Sequence, residues 1–273
     1  LKYARKATGK AGIVALDGSF HGRTTGALAA TGQPGKRAAF EPLLPGVTFA
    51  APNDIESLAR AAGDGTGLIL LEPVLGEGGI RPLEPGFLAA ARGLADELGA
   101  LLAFDEVQTG VGRTGTFFAF EQAGVEPDLV TLAKGLANGL PIGCLLAADA
   151  APRGFEPGDH ASTFGGNPVV CAAACAVVDA VDEELLESVR AAGSRLAAGL
   201  AGLPGVTEVR GRGLLLGAEF DRPVAPIVDA CRAVGLLVLS AGDTVLRLTP
   251  PLTVAPVEVD RALATLGDVL ASA

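Results

Sequence analysis

The chain has 273 residues, which is enough for one large domain or two smaller ones. Hydrophobic residues make up 49% of it and its mean hydropathy is +0.42, so we expect a substantial core and a large buried interface. The net charge of −10 disfavours nucleic acid as a partner, because an acidic surface repels phosphate backbones. The longest apolar run, residues 168–178, is shorter than the roughly 18 residues that a membrane span needs, so no membrane partner is predicted.

The four cysteines show no CxxC pair and no nearby histidine spacing typical of zinc, so no metal site is predicted. They are Cys144, Cys171, Cys175 and Cys231. Cys171 and Cys175 lie one helical turn apart in an Ala/Val run and are interpreted as small core residues. This usage favours a reducing, cytoplasmic location.

The first residues, Leu1 to Ala7, read as a helix that is closed by Gly9. They contain no apolar stretch of the kind found in a signal peptide. The chain has no methionine and opens inside this predicted helix, so we expect an N-terminal part of the protein to precede Leu1.

The next elements alternate between apolar strands and amphipathic helices, which is typical of a mainly parallel α/β sheet. Three of the strands end on a polar residue: Glu72, Asp105 or Lys134. The predicted elements are a strand over 11–16, a helix over 54–62, a strand over 67–71, a helix over 85–98, and strands over 100–104 and 128–133.

The C-terminal part has shorter and more mixed elements, which predict a second, smaller α+β domain. We therefore place a large domain at residues 1–180 and a small one at 181–273, with the boundary inside a long helix. The predicted elements there are helices over 167–186 and 186–203, a strand over 213–220, a helix over 224–234, strands over 236–239 and 245–248, and a last helix from Val257.

Lysine usage singles out Lys134. Of the 21 basic residues only five are lysines, and Lys134 is the one lysine after Lys36. An amine forms a Schiff base with an aldehyde, whereas a guanidinium does not. Since Lys134 directly follows a predicted buried strand, we predict that it binds pyridoxal phosphate covalently and then serves as the catalytic base and acid.

Asp105 is the predicted charge partner in that chemistry. It precedes Lys134 by one predicted crossover, and ligands of open α/β sheets bind beyond the carboxyl ends of the strands. A carboxylate on the pyridine nitrogen keeps the ring protonated and able to accept electrons. A lone aspartate at a strand end is more often a helix cap, but its pairing with an isolated lysine favours the catalytic interpretation.

Three segments resemble the class III (ornithine-type) pyridoxal-phosphate-dependent aminotransferases: Leu101–Gly110, Thr131–Gly135 and Ser162–Pro168. The resemblance covers essentially the whole chain. It implies the fold-type I architecture, with a mainly parallel large domain that lacks its N-terminal part here and a small C-terminal α+β domain. It also implies a homodimer with shared active sites.

Within the class, further segments are most similar to acetylornithine aminotransferases; they are Ser19–Thr24, Ala30–Pro34, Glu41–Leu43 and Glu72–Gly79. This similarity implies pyridoxal-phosphate-dependent transamination of N2-acetylornithine with 2-oxoglutarate, a step of arginine biosynthesis.

The resemblance also implies roles at the cofactor. Phe20 and Val107 are expected to cover the two faces of the pyridine ring, and Gln108 to bind its hydroxyl. Glu106 is expected beside the cofactor. Thr163 is expected to bind the cofactor phosphate of the neighbouring subunit.

For the substrate, the resemblance implies that Arg23 and Arg247 hold carboxylates, since guanidinium groups bind them through paired hydrogen bonds. Ser162 is expected to reach substrate across the dimer. Glu77 is expected to pair with Arg247 when the substrate presents no α-carboxylate.

Two other features could indicate a second cofactor, a catalytic triad or a metal site. Gly110–Gly115 matches the GxGxxG pattern, but a dinucleotide site runs from strand directly into helix and this segment does not, so NAD binding is rejected. His21 and His160 show no carboxylate or cysteine arrangement typical of a triad or metal site, and we expect structural or substrate-adjacent roles for them.

Three alternatives stay open at this point. The first is another class III ω-aminotransferase, acting on ornithine, 4-aminobutyrate or a lysine-pathway substrate. The second is an isomerase or racemase of the same fold. The third is a non-catalytic remnant, because the expected phosphate-binding loop of the family lies in the N-terminal part that this sequence lacks.

Overall fold

The computed structural model describes residues 1–272, which contain nine α-helices, twelve strands and three short 3-10 turns. The helices are α1 (Lys2–Thr8), α2 (Thr25–Ala29), α3 (Pro34–Arg37), α4 (Ile55–Ala61), α5 (Pro85–Leu98), α6 (Pro168–Ala180), α7 (Glu183–Ala201), α8 (Ala225–Ala233) and α9 (Pro256–Ala271). The strands are β1 (Gly12–Leu16), β2 (Val47–Ala50), β3 (Thr66–Leu71), β4 (Val74–Leu75), β5 (Arg81–Pro82), β6 (Leu101–Asp105), β7 (Leu129–Leu132), β8 (Cys144–Ala147), β9 (Val206–Arg212), β10 (Leu215–Phe220), β11 (Leu239–Ser240) and β12 (Val245–Leu248). The 3-10 turns are Ala38–Phe40, Ala119–Ala123 and Lys134–Ala137.

These elements form two compact units. The first comprises residues 1–73, 83–108 and 120–179, and the second comprises 74–82, 109–119 and the chain from residue 180 onward. The main boundary between the units lies between Asp179 and Ala180. The second unit also includes two short segments from earlier in the sequence, 74–82 and 109–119. The assignment of separate domains at 1–180 and 181–273 stays a prediction.

The first unit is built on a six-stranded sheet with the strand order β2-β1-β3-β6-β7-β8. Its strands are parallel except for β8, which runs antiparallel to β7. Strands β3 and β6 are buried along their whole length, as expected for apolar strands that are covered on both faces. The mainly parallel sheet predicted for this region is confirmed.

Asp128 links the starts of two strands. One is β6, which ends at Asp105, and the other is β7, which precedes Lys134. Its Oδ2 accepts hydrogen bonds from the backbone N of Leu102 at 2.7 Å and from Nη1 of Arg92 at 2.8 Å. Because Leu102 lies in β6 and Asp128 directly precedes β7, this carboxylate ties the two strands together at their entry. It thereby helps to set the register in which Asp105 pairs with Thr131.

Local sequence signals explain the helix ends. Helix α5 begins with a proline at its first position and ends at Gly99, which has φ of 57°, a conformation that glycine adopts without strain. Its bounds agree with the prediction. The predicted helix over 167–186 is wrong at its C-terminal end, because Asp182 accepts a hydrogen bond from the backbone N of Leu185 and caps a new helix, α7.

The second unit is built on a four-stranded antiparallel sheet with the order β11-β12-β10-β9. Helices α7, α8 and α9 contribute to its core, where Phe220, Leu246 and Leu200 are 2% exposed or less. The short hairpin of β4 and β5, residues 74–82, also belongs to this unit. The predicted strand over 236–239 is wrong over residues 236–238, since β11 begins at Leu239 and ends at Ser240.

The GxGxxG segment forms consecutive turns, with positive φ at Val111, Gly112 and Gly115, and leads into turns and the short 3-10 turn Ala119–Ala123 instead of an α-helix. Arg113 lies half-buried in the second unit and donates to the carbonyl oxygens of Leu214 and Pro250 at 3.1 and 2.6 Å. Burial lowers the pKa of Arg113 to about 10. This arginine therefore has a structural role in holding the turn segment.

Within residues 1–272, no helix combines the length and apolar character that a membrane crossing requires. The four cysteines are free thiols, and Cys231 is buried. Cys175 is exposed in this single chain, so its interpretation as a core residue is wrong.

Candidate active site

Asp105 lies at the carboxyl end of β6 and is held by three hydrogen-bond donors. Its Oδ2 accepts from Nδ1 of His21 at 2.7 Å, and its Oδ1 accepts from the Thr131 hydroxyl and the Val107 backbone N, each at 3.1 Å. The Asp105 side chain is 9% exposed and that of His21 only 2% exposed. A carboxylate has about four acceptor positions, so these bonds leave room for one further donor.

The pKa of His21 depends on its contact with Asp105. Burial lowers the pKa of His21, but the hydrogen bond and the negative charge of Asp105, with a contribution from Glu72, raise it above its ordinary value overall. The other ring nitrogen, Nε2, is buried and has no hydrogen-bond partner among the residues described. The expectation that His21 has no carboxylate partner is therefore wrong.

Glu72, the third polar strand end, positions Phe20. It is 5% exposed, and its Oε1 accepts a hydrogen bond from the Phe20 backbone N at 2.8 Å. The guanidinium carbon of Arg23 lies 5.6 Å from the centre of the Phe20 ring, and Nζ of Lys36 lies 4.7 Å from it, which is cation–π distance. Phe20 and Arg23 thus lie together in the first unit, in the same loop as His21.

The segment after Asp105 carries the next three predicted residues. Gln108 has a buried Oε1 that finds no hydrogen-bond partner within residues 1–272, an arrangement that is costly unless a ligand donates to it. Glu106 is 1% exposed, and its Oε1 accepts from the backbone N of Phe120 at 3.0 Å. The placement of Glu106 shows a structural contact, and its role at a cofactor stays a prediction.

Lys134 opens a 3-10 turn two residues after β7 ends, and it has a left-handed backbone with φ of 43°. Such a conformation is uncommon for a residue other than glycine, and residues that adopt it are found disproportionately at functional sites. Its side chain is exposed. Because β6 and β7 are parallel neighbours, Asp105 at the end of β6 and Lys134 just after β7 lie at the carboxyl ends of adjacent strands.

Ser162 and Thr163 lie in an exposed loop that leads into α6. The Ser162 hydroxyl accepts a hydrogen bond from the backbone N of Gly165 at 3.0 Å. All residues from 161 to 166 are exposed, and the Phe164 side chain is 80% exposed. Among residues 1–272 of a single chain, Ser162 and Thr163 make no hydrogen bond to Asp105, whose partners are His21, Thr131 and Val107.

Glu77 and Arg247 meet in the second unit. Nη1 of Arg247 donates to Oε1 of Glu77 at 2.5 Å and to the carbonyl oxygen of Gly76 at 3.3 Å. The side chain of Arg247 is 10% exposed and that of Glu77 is 28% exposed. Arg247 also has a buried Nε for which the described chain offers no hydrogen-bond acceptor. This is the pairing that the family resemblance implied.

No group of three or more histidine, cysteine, aspartate or glutamate side chains in residues 1–272 is arranged to hold a metal ion. Three contacts at this site were not predicted from the sequence: those of Asp105 with His21 and Thr131, and that of Glu72 with the Phe20 backbone. Thr131 is the first residue of the Thr131–Gly135 motif and lies in β7, and only the strand register shows that it is paired with Asp105. His21 stands next to Phe20, so its motif context was the available signal.

Comparisons with known proteins are consistent with this geometry. The sequence profile of the family Aminotransferase class-III matches residues 1–270. The acetylornithine aminotransferase of Corynebacterium efficiens is 48% identical over 268 residues, which cover 97% of this chain and 67% of that protein.

Two solved structures are similar over 99% of this chain. The N-acetylornithine aminotransferase from Stenotrophomonas maltophilia has a TM-score of 0.82 at 35% identity, and 70% of that chain is covered. An ornithine aminotransferase from Toxoplasma gondii, described with partial occupancy of PLP at its active site, has a TM-score of 0.91 at 29% identity, with 67% of that chain covered.

Proposed function

The chain belongs to the class-III aminotransferase family, and from this we propose that it transfers the terminal amino group of N2-acetylornithine to 2-oxoglutarate. The observation that carries the proposal is the 48% identity to an acetylornithine aminotransferase over 97% of this chain. The neighbouring positions of Asp105, at the end of β6, and Lys134, just after β7, support it. Asp105 supplies the negative charge and Lys134 the amine that this chemistry needs.

Pyridoxal 5'-phosphate is the cofactor of this family, and the first unit has groups that fit it. Asp105 has one acceptor position left for the proton of a pyridinium nitrogen. The buried Oε1 of Gln108 lacks a donor among the described residues, and a ring hydroxyl would supply one. We assign Phe20 and Val107 to the two faces of the ring.

The residues of the chain then divide the chemistry between them. Bound pyridoxal phosphate supplies an electron-accepting ring. Asp105 holds the proton at the ring nitrogen, and His21 and Thr131 hold the Asp105 carboxylate in place. Nζ of Lys134 takes the proton from the substrate carbon and delivers it again, which is the work of a general base and acid.

Carboxylate binding is assigned to two arginines. Arg23 lies exposed beside Phe20 and is proposed to bind one substrate carboxylate. Arg247 is proposed to bind the α-carboxylate of 2-oxoglutarate. Glu77 neutralises Arg247 whenever the bound substrate does not, so that the buried guanidinium is never left without a negative partner.

An amino-donor assay tests the function. The holoenzyme is supplied with 2-oxoglutarate and with N2-acetylornithine, ornithine or 4-aminobutyrate, and glutamate is measured. We expect the highest kcat/KM with N2-acetylornithine. A higher value with ornithine or 4-aminobutyrate would assign a different ω-aminotransferase, turnover without any oxo acid would indicate an isomerase, and absence of turnover with every donor would indicate a non-catalytic chain.

A homodimer is the proposed assembly, with Ser162 and Thr163 serving the site of the neighbouring subunit. Its support is a set of exposed apolar side chains in the first unit, all within residues 140–169, the segment of the chain that also contains these two residues. They are Leu140, Leu145 and Leu146 at 41–42% exposure, Val169 at 70% and Phe164 at 80%. Large exposed apolar side chains that are concentrated in one segment are typical of an interface.

Mixing two inactive variants tests the shared site. Lys134→Ala and Thr163→Ala enzymes are unfolded together, refolded and assayed. If Thr163 serves its neighbour, half of the sites in each mixed dimer regain both residues, and about a quarter of the wild-type activity returns. If Thr163 serves its own subunit, mixing restores none.

The free thiols of the four cysteines support a cytoplasmic location, which we propose as well.

A further inference from the structure

Three residues form one row across the sheet of the second unit. Gly217 of β10 is paired with Arg210 of β9 on one side and with Arg247 of β12 on the other. Directly paired residues of antiparallel strands project toward the same face of a sheet. Two guanidinium groups therefore flank a position that has no side chain.

Both arginines bind the backbone of the hairpin formed by residues 74–82. Nε of Arg210 donates to the carbonyl oxygen of Gly79 at 2.7 Å. Arg247 donates to the carbonyl oxygen of Gly76 and to the Glu77 carboxylate. The two arginines thus bind the hairpin on either side of Glu77 and Gly78.

Ile80 fills the space left by the glycine. A Cβ atom at Gly217 would lie 2.8 Å from Cβ of Ile80, and one at Gly211 would lie 3.1 Å from its Cγ2. Ile80 is fully buried with Leu215 and Val245. Its φ of 50° is an outlier for a β-branched residue, so tight packing holds it in a conformation that it would not adopt alone.

Arg210 is itself fixed independently of Glu77. Its Nη1 donates to Glu208 at 2.8 Å and its Nη2 to Glu219 at 2.5 Å, and the Thr244 hydroxyl also donates to Glu219. Burial raises the pKa of Glu219, but the hydrogen bonds from Thr244 and Arg210 lower it below its ordinary value overall. Glu219 therefore remains a carboxylate that holds the guanidinium in place.

We propose that Ile80 and Arg210 are positioning residues that set how firmly Glu77 is held against Arg247, and thereby how readily Arg247 accepts a substrate carboxylate. This inference rests on the proposed function, in which Glu77 and the oxo acid compete for Arg247. A hairpin that is clamped at Gly79 and Ile80 keeps Glu77 close to Arg247. Loosening that clamp favours the dicarboxylate acceptor and disfavours the amino donor.

Ile80→Gly is the first test, because glycine adopts a φ of 50° without strain while the side chain that fills the gap is lost. We expect KM for 2-oxoglutarate to fall and KM for N2-acetylornithine to rise, each by about twofold to fivefold, with a much smaller change in kcat. Leu215→Ala is the matched control. It removes apolar volume from the same cluster but lies outside the hairpin, so we expect no opposite shifts.

Arg210→Gln is the second test and should give the same pair of opposite shifts. Arg210→Lys retains the charge next to Glu219 and should restore part of the wild-type KM ratio. A purely structural role of Arg210 would change both KM values in the same direction, or alter stability alone, and that result would overturn the proposal.

Two measurements without turnover separate this inference from the proposed function. Hydrogen exchange of the peptide that covers residues 74–82 should become faster in Ile80→Gly and Arg210→Gln but not in Leu215→Ala. Glutarate, a dicarboxylate that cannot react, should bind both hairpin variants about twofold to fivefold more tightly than wild type in calorimetry. If the wild type lacks aminotransferase activity, the proposed function fails while these two results still decide the inference. Unchanged exchange or unchanged glutarate binding contradicts it.

Discussion

His21 and Asp105 are 84 residues apart in the sequence, yet Nδ1 of the imidazole lies 2.7 Å from Oδ2 of the carboxylate. The two side chains are nearly excluded from water, which strengthens their interaction. The pair joins the loop after β1 to the carboxyl end of β6. The imidazole of His21, which can be protonated, is thus hydrogen-bonded to the Asp105 carboxylate that we assign to the cofactor.

His21→Gln tests this coupling through the pH dependence of stability. The pKa of His21 is raised in the folded state above its ordinary value of 6.5, so protonation favours folding. The stabilising effect is fully present below pH 6.5 and is lost as pH rises through the raised folded-state pKa. We expect the free energy of unfolding of the wild-type apoprotein, relative to His21→Gln, to be larger near about pH 6 than near about pH 9. Urea denaturation across this range measures it, and a difference that does not vary with pH contradicts the coupling.

Gln108→Leu should have opposite effects on the apoprotein and on cofactor binding. Leucine removes a buried acceptor that lacks a partner among the described residues, so the apoprotein should lose no stability and should gain up to about 1 kcal/mol. The same change removes a hydrogen bond to the ring hydroxyl, which should weaken pyridoxal phosphate binding about fivefold to tenfold. Thermal unfolding of the apoprotein and a cofactor titration give the two values. Equal affinity in variant and wild type would remove Gln108 from the cofactor site.

Asp128→Ala should destabilise the fold by about 2–3 kcal/mol, because it removes a charged acceptor for both Leu102 N and Arg92. Asp96→Ala is the matched control. Asp96 pairs with the same arginine but is 65% exposed, so its loss should cost less than about 1 kcal/mol. Urea denaturation compares the two variants, and a cost for Asp128→Ala as small as that of the control would refute the role of Asp128 in fixing β6 and β7.

Much of the fold was predictable from local sequence. The buried apolar runs of β3 and β6 and the proline and glycine at the ends of α5 carry their own signals. These signals sufficed to predict a mainly parallel sheet and to place Asp105 and Lys134 after neighbouring strands. The comparisons then confirmed the family that the quoted motifs had indicated.

The remaining features depend on packing that no local pattern records. Strand β8 is four residues long and mostly exposed, so it lacks the buried apolar run that identified the other strands. The contact of His21 with Asp105 requires the loop after β1 to fold onto β6. The left-handed backbone of Ile80 is held by a gap at Gly217, more than a hundred residues further along the chain.

We propose that Lys134 is the residue that binds pyridoxal phosphate covalently. Borohydride reduction of the holoenzyme, followed by peptide mass spectrometry, tests it most directly. The chain has only five lysines, at positions 2, 6, 10, 36 and 134, so the assignment is unambiguous within this sequence. We predict one reduced cofactor per chain, on Lys134, and none in Lys134→Arg, because a guanidinium does not form the linkage. A label on another lysine, or an unmodified Lys134 in active enzyme, would contradict the account.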